Sequence, residues 1–251
     1  MKEAKDTRCR ETLKSLALAY GLDVTDSQAA LCCRHLELLE FWNRRVNLTR
    51  LTGLEAVVKH VLDSLIPRPW LTLSGLVLDV GSGAGFPGIP LAVTNPRLHV
   101  YLLDSDRKKT SFLKVCVAEL GLKNVTVIQG RVEHAPWIPG GFHGPSAHDL
   151  SIPADEELRR FDLITVRAVR MDEALLHCLG GFLKMEGMVA YWAGKTPSAE
   201  VSQNLGLKAG FKENTADRKA RLVLKRLPDM KYLLPGLEEP RRLLRWRLQE
   251  S

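Results

Sequence analysis

From Leu76 to Lys225 the chain alternates short β-branched runs with helical stretches, and this rhythm restricts the fold more than any other feature. Leu76-Val77-Leu78-Asp79-Val80 reads as a buried strand; a helix opens near Phe86-Pro87; Leu98 to Leu103 is a second strand, and Asp106 to Leu120 a second helix closed by Gly121. Val125 to Ile128, Phe161 to Val166, Gly187 to Trp192 and Arg221 to Lys225 continue the strands, with helices over about Asp172 to Leu183 and Pro197 to Gly210. Strand and helix in alternation build a parallel sheet covered on both faces. Right-handed crossovers then leave chiefly a doubly wound α/β sheet, here of seven strands, with its ligand site at the strand C-termini.

The first 66 residues have a different texture. A helix around Arg10 to Tyr20 ends at Gly21, a second opens at the Thr25-Asp26-Ser27 cap, and a third from Leu54 to Leu65 places Val57, Val58, Val61, Leu62 and Leu65 on one side before Pro67. The division expected is a helical cap over residues 1–70, a sheet domain over 71–228 and a basic tail over 229–251. Within the sheet domain, residues 134–160 hold four Pro, three Gly and three His without periodicity, which reads as a flexible insertion. Those histidines lack ligand-like spacing, so no metal is expected. The five cysteines are odd in number and form no C-x-x-C, which suggests reduced, partly buried thiols.

Chemistry concentrates in Asp79-Val80-Gly81-Ser82-Gly83-Ala84-Gly85-Phe86-Pro87-Gly88, directly after a strand. Glycines there let the backbone turn tightly and approach a nucleotide-like ligand. Counted from Gly83 the stretch satisfies G-x-G-x-x-G, so a dinucleotide cofactor has to be weighed. Three details oppose it. Asp79 at the strand end would face the ligand and suits a cation better than a pyrophosphate; Pro87 removes an N–H donor; and the pattern counted from Gly81, the glycine at the strand end, lands on Phe86. D-x-G-x-G-x-G instead resembles the first motif of S-adenosylmethionine-dependent methyltransferases, whose cofactor carries an ammonium and a sulfonium. Asp104 ends the second strand, where a carboxylate can accept both ribose hydroxyls; the competing role, a helix N-cap, fits Asp106 better.

Leu102–Glu133, Asp79–Ala92, Phe161–Val169, Phe41–Thr49 and His60–Leu65, five motifs in order, together resemble the bacterial small-subunit ribosomal RNA guanine methyltransferase family, also called glucose-inhibited division protein B. The resemblance runs from about residue 36 to 227. It implies a methyltransferase fold, S-adenosylmethionine as cofactor, and methylation of nitrogen 7 of one guanine in 16S ribosomal RNA. By residue, it implies that Gly81, Gly83 and Phe86 belong to the cofactor loop, that Asp104 holds the ribose, that Val132 and Glu133 border the adenine, and that Arg167 closes the site. An arginine at a strand end is expensive to bury without an anionic partner, so Arg167 either contacts cofactor or RNA or makes a structural ion pair. Asn43, Asn47, His60 and Asp63 also fall in the family-like motifs, with packing and capping as the plainer explanation. Thr165-Val166-Arg167-Ala168 lacks the Asn/Asp-Pro-Pro-aromatic motif of amine methylation, whereas guanine nitrogen 7 presents a lone pair that needs no deprotonation.

The formal net charge of +7 is unevenly spread: residues 1–50 carry nine basic and seven acidic side chains, 51–217 carry 17 and 18, and 218–251 carry ten and four. A basic surface of this kind faces phosphates or is merely solvated. Lys195, Arg218, Lys219, Arg221, Lys225 and Arg226 are the candidates for RNA contact, although Lys225 and Arg226 could simply flank an edge strand. The expected partner is 16S ribosomal RNA or the small ribosomal subunit, met by a monomer. With no run approaching 18 apolar residues and a charged N-terminus, a cytoplasmic protein without a membrane partner is expected. Two rivals remain: an NAD(P)-dependent oxidoreductase, and a non-catalytic RNA-binding or ribosome-assembly protein that retains a cofactor fold.

Overall fold

A computed structural model describes residues 2–134, 161–193, 204–206 and 222–251. Helices α1 (Lys2–Ala19) and α2 (Asp26–Asn43) open the chain. At the start of α2 the Thr25 side chain accepts from the Gln28 amide while the Gln28 side chain accepts from the Thr25 amide, a reciprocal cap that fixes this helix where the sequence placed it. The third helical stretch is not uniform: α3 (Gly53–Ala56) passes into a π-helical turn (Val57–Leu62) and then α4 (Asp63–Leu65). π-helical turns occur frequently at functional sites. This one, with the start of α4, brings the Lys59 carbonyl and the side chains of His60 and Asp63 to the strand ends, where the carbonyl and Asp63 meet Arg167 and His60 stacks on Phe86.

The sheet has the order β3-β2-β1-β4-β5-β9-β7-β6, from β1 (Leu76–Val80), β2 (His99–Asp104), β3 (Val125–Gln129), β4 (Phe161–Arg167), β5 (Leu183–Ala193), β6 (Leu205–Gly206), β7 (Leu222–Arg226) and β9 (Arg241–Glu250), with β8 (Met230–Tyr232) paired beside the start of β9. Strands β1 to β5 are parallel, and β9 is antiparallel to both β5 and β7. Helices α5 (Gly88–Thr94) and α6 (Arg107–Glu119) pack on one face and α7 (Glu173–Gly180) on the other. This is the doubly wound, mostly parallel α/β fold. The N-terminal helices share one hydrophobic cluster with the first face, in which Leu13, Val61 and Leu65 join Ile89, Leu102 and Phe112.

Four expectations are corrected. Residues 229–251 are not a tail: β8 and β9 lie there, and β9 is an interior strand flanked by β5 and β7. With its seven-strand path completed by β9, the sheet also gains the short β6 and β8, which makes nine strands among the described residues rather than seven. Leu205–Gly206 is a strand where a helix over 197–210 was expected. Finally, Cys9 of α1 and Cys33 of α2 form a disulfide, which odd-number reasoning missed because it counts cysteines and not neighbours. Cys32, Cys116 and Cys178 are free thiols. Burial pushes Cys32 up to about 12 and Cys178 up to about 11, which makes them poor nucleophiles.

Candidate active site

Parallel strands deliver β1, β2 and β4 to one edge, and a cleft of about 370 Å³ opens there. Its floor is the glycine loop. Gly81 has φ +70°, and a Cβ on it would come within 2.4 Å of Val169 Cγ2, so both the backbone and the neighbour demand glycine. Gly88 opens α5 against β2, where a Cβ would meet Leu102 Cδ2 at 2.3 Å. The loop satisfies its own amides. Gly81 and Ser82 donate to the Leu103 carbonyl, Gly85 and Phe86 to the Ser82 carbonyl, Ile89 to the Gly85 carbonyl, Gly83 to Asp104 and Gly88 to Asp79.

Asp79 does not line this cleft, contrary to the expectation that it faces the ligand. It is 1% exposed, accepting from the Thr165 hydroxyl at 2.7 Å and from the Gly88 amide at 3.2 Å. The reason is the strand's alternation: Asp79 shares a sheet face with Val77, under α5, and so ties β1 to β4 and to the helix start. Burial pushes its carboxyl up to about 6 against the opposing hydrogen bonds from Thr165, Ser82 and Gly88.

The other expected residues do converge. Gly81, Gly83, Phe86, Asp104, Val132, Glu133 and Arg167 all line the cleft. Asp104 accepts from the Gly83 amide at 2.8 Å and the Asp106 amide at 2.9 Å, while Asp106 itself caps α6 through the Lys108 amide. A carboxylate offers about four lone-pair positions, so Asp104 keeps about two for a ligand. Across the mouth, Glu133 is exposed and Val132 buried on the turn after β3. Lys109 and Arg131 offset these two carboxylates, and the third cation of the lining, Arg167, is offset by Asp63 behind it.

Arg167 makes the structural ion pair and also lines the cleft. One nitrogen, Nη2, donates to the Lys59 carbonyl at 2.5 Å and pairs with the Asp63 carboxylate at 3.0 Å, while Nη1 is buried without a hydrogen-bond partner among the described residues. Asp63 is also held by the Tyr232 hydroxyl at 2.7 Å. Its burial shows that the His60–Leu65 motif does more than cap a helix.

Phe86 is sandwiched between two imidazoles, His60 at 4.5 Å and His35 at 4.7 Å between ring centroids. His60 lines the cleft and meets the Thr49 hydroxyl at 2.8 Å; His35 donates from Nε2 to the Ala84 carbonyl at 2.9 Å. Burial lowers His35 to about 4 and, reinforced by Arg167 and His35, lowers His60 to about 3. Both rings are neutral at physiological pH. The sequence signal for His60 was present in its motif but was outweighed by the packing explanation. Packing does account for Asn43, whose side chain accepts from the Leu48 and Thr49 amides and donates to the Thr49 carbonyl, thereby holding Leu48 in the cleft wall.

The candidate RNA-contact residues fare unevenly. Lys195, Arg218, Lys219 and Arg221 lie outside the described residues. Lys225 is exposed and borders neither this cleft nor the pocket described below. Arg226 is spent inside the fold: its guanidinium lies 4.5 Å from the Trp246 ring, pairs with Asp229 and donates to the Arg245 carbonyl at 3.2 Å. Arg226 therefore serves as a brace between β7 and β9.

The family model described as rRNA small subunit methyltransferase G (GidB) matches residues 28–210. "Ribosomal RNA small subunit methyltransferase G 1" of Syntrophobacter fumaroxidans is 36% identical over 247 residues, covering 98% of this chain and 99% of that protein. A "Ribosomal RNA small subunit methyltransferase G" of Chromobacterium violaceum is 38% identical over 187 residues, covering 71% and 80%. Among solved structures, a SAM dependent methyltransferase from Aquifex aeolicus aligns with a TM-score of 0.46 at 17% identity, covering 74% of this chain and 89% of that one. With the model matched over more than half its length and a relative covering nearly all of it, this chain belongs to the rRNA small subunit methyltransferase G family.

Proposed function

We propose that the chain transfers the methyl group of S-adenosylmethionine to nitrogen 7 of a guanine in 16S ribosomal RNA, in the cytoplasm and as a monomer. The observation that carries the cofactor assignment is the self-satisfied glycine loop. Six amides between Gly81 and Gly88 are bonded within the protein and Pro87 has none, so a pyrophosphate would find few donors where a dinucleotide cofactor needs them. What the cleft offers instead is a carboxylate with spare lone pairs, a glycine floor and balanced charge, a donor and acceptor set that fits a zwitterionic nucleoside.

S-adenosylmethionine supplies an electrophilic methyl group on a sulfonium. Asp104 accepts the ribose hydroxyls, Val132 and Glu133 border the adenine, and Phe86, locked between His35 and His60, sets the loop's shape. Because both imidazoles are neutral, they place no positive charge beside the sulfonium. The guanine nitrogen attacks with its own lone pair, so the protein's task is alignment and exclusion of water rather than proton removal. Calorimetry tests the cofactor half of the proposal. The expected result is saturable binding of S-adenosylmethionine with none of NAD; binding of NAD alone would favour the oxidoreductase reading. A cofactor-binding protein that transfers no label to RNA would favour the assembly-protein reading.

A further inference from the structure

We propose that a second pocket, next to Arg167, seats a backbone phosphate of the RNA beside the target guanosine; the inference rests on the function proposed above. The pocket, about 370 Å³, opens where β4 and β5 end, and it shares only Arg167, Ala168 and Val169 with the main cleft. Its further walls include Arg170, Tyr191, Arg241 and Arg242. The last two arrive there because β9 is antiparallel: Arg242 pairs with Ala193, so the basic start of β9 meets the C-terminal end of β5. Arg241 and Arg242 lie beyond the residues matched by the family model.

Charge defines the ligand. Four guanidinium groups face a single carboxylate, Asp63, which is already shared by Arg167 at 3.0 Å, the Tyr232 hydroxyl at 2.7 Å and, more distantly, Arg241 Nε at 3.9 Å. Nη1 of Arg167 and the Nε atoms of Arg241 and Arg242 are buried without hydrogen-bond partners among the described residues. Arg242 has its Nη2 on Asp229 at 2.5 Å, and Arg170 is exposed with no ion pair among the described residues. Buried donors left unsatisfied are costly, and a phosphate presents several strong acceptors to arginine's planar fork. A second observation coincides with this place. Ala168, on the ridge common to cleft and pocket, has φ +57°, a left-handed conformation that costs an alanine roughly 1–2 kcal/mol. Strain of this kind concentrates at ligand clamps. Because Arg167, Ala168 and Val169 line both spaces, an RNA strand with a base in the cleft can present a backbone phosphate to the pocket across that ridge.

The test uses the full chain with S-adenosylmethionine bound. Affinity for an unmethylated 16S ribosomal RNA transcript is measured by filter binding across a salt series for wild type, Arg170→Ala and Arg242→Gln. Each variant is expected to bind RNA about tenfold more weakly and to lower the slope of log affinity against log salt by about one, the signature of one lost phosphate contact. Cofactor affinity measured by calorimetry stays at the wild-type value, which also reports that the variants are folded. Unchanged RNA affinity and slope in both variants would overturn the proposal. So would inorganic phosphate raising the melting temperature of wild type but of neither variant while leaving RNA affinity untouched, because the pocket would then serve a free anion. Wild-type RNA binding without methyl transfer would instead count against the function proposed above and leave this pocket standing.

Discussion

The two ends of the sheet's functional edge are chemically unlike. Around β1, β2 and β3 the backbone donors are consumed internally, two carboxylates offset two cations, and the tolerances are tight enough that a methyl group on Gly81 would collide with Val169. Around β4, β5 and β9 the lining is arginine, several of its nitrogens lack partners, and the intervening residue Ala168 is strained. The first half is finished for a small zwitterion, whereas the second is unfinished without a polyanion. Arg167 and its partner Asp63 stand between them and connect both to the π-helical turn of the N-terminal helices.

The largest effect is expected from removing residues 229–251. Had they been a solvated tail, truncation would have cost only RNA affinity. Since β9 is an interior strand carrying the buried Leu243, Leu244, Trp246 and Leu248, truncation is expected to abolish folding, as read by loss of a cooperative thermal transition. A milder version is Trp246→Ala, which empties the position of a fully buried indole and should cost about 3–5 kcal/mol in chemical denaturation.

Acid should strike the cofactor half. His35 and His60 titrate near 4 and 3 in the fold against an ordinary 6.5, so the unfolded chain takes up protons first and stability, intact above pH 6.5, is lost as pH falls toward 4. Asp79 acts oppositely: held up at about 6 from an ordinary 3.8, it favours the fold as pH falls through that window. Two histidines against one carboxylate leave a net loss, on the order of 3 kcal/mol between pH 6.5 and 4. Denaturation at several pH values checks it, and His35→Phe should flatten the profile.

Asp104→Ala sharpens the division without unfolding the protein. S-adenosylmethionine affinity is expected to fall about a hundredfold, some 2–3 kcal/mol, for loss of charge-assisted hydrogen bonds, with the salt dependence of RNA binding unchanged. Wild-type cofactor affinity in this variant would refute the ribose assignment. The smallest effect is expected from Ala168→Gly, which releases the left-handed strain and should alter stability by no more than about 1 kcal/mol while weakening RNA binding if the strain serves the ridge.

Legibility followed the source of the constraint. The glycine loop could be read because the steric demands at Gly81 and Gly88 act within one short stretch, leaving a local pattern. Asp79 was misplaced by half a pleat: the residue type was correctly singled out, but strand alternation turned it under α5. The C-terminal strand was obscured by its arginines. Leu244, Trp246 and Leu248 do recur at every second position, the signature of a strand, yet Arg245 and Arg247 between them suggested solvent. Arg245 in fact reaches the Trp70 and Pro228 carbonyls, contacts made across 175 and 17 residues that no local pattern encodes. His60 and Asp63 were equally hidden, since their partners Phe86, Arg167 and Tyr232 come from three other parts of the chain.

Methyl transfer to a ring nitrogen of guanine in small-subunit RNA can be measured directly. Unmethylated 16S ribosomal RNA and intact small subunits are incubated with the protein and methyl-labelled S-adenosylmethionine, and the recovered RNA is reduced and treated with aniline, which breaks the strand at nitrogen-7-methylated guanine. About one label per RNA and a single break at one guanine are expected. Label without a break would place the methyl group on another atom, and no label on either substrate would rule out the proposed transfer.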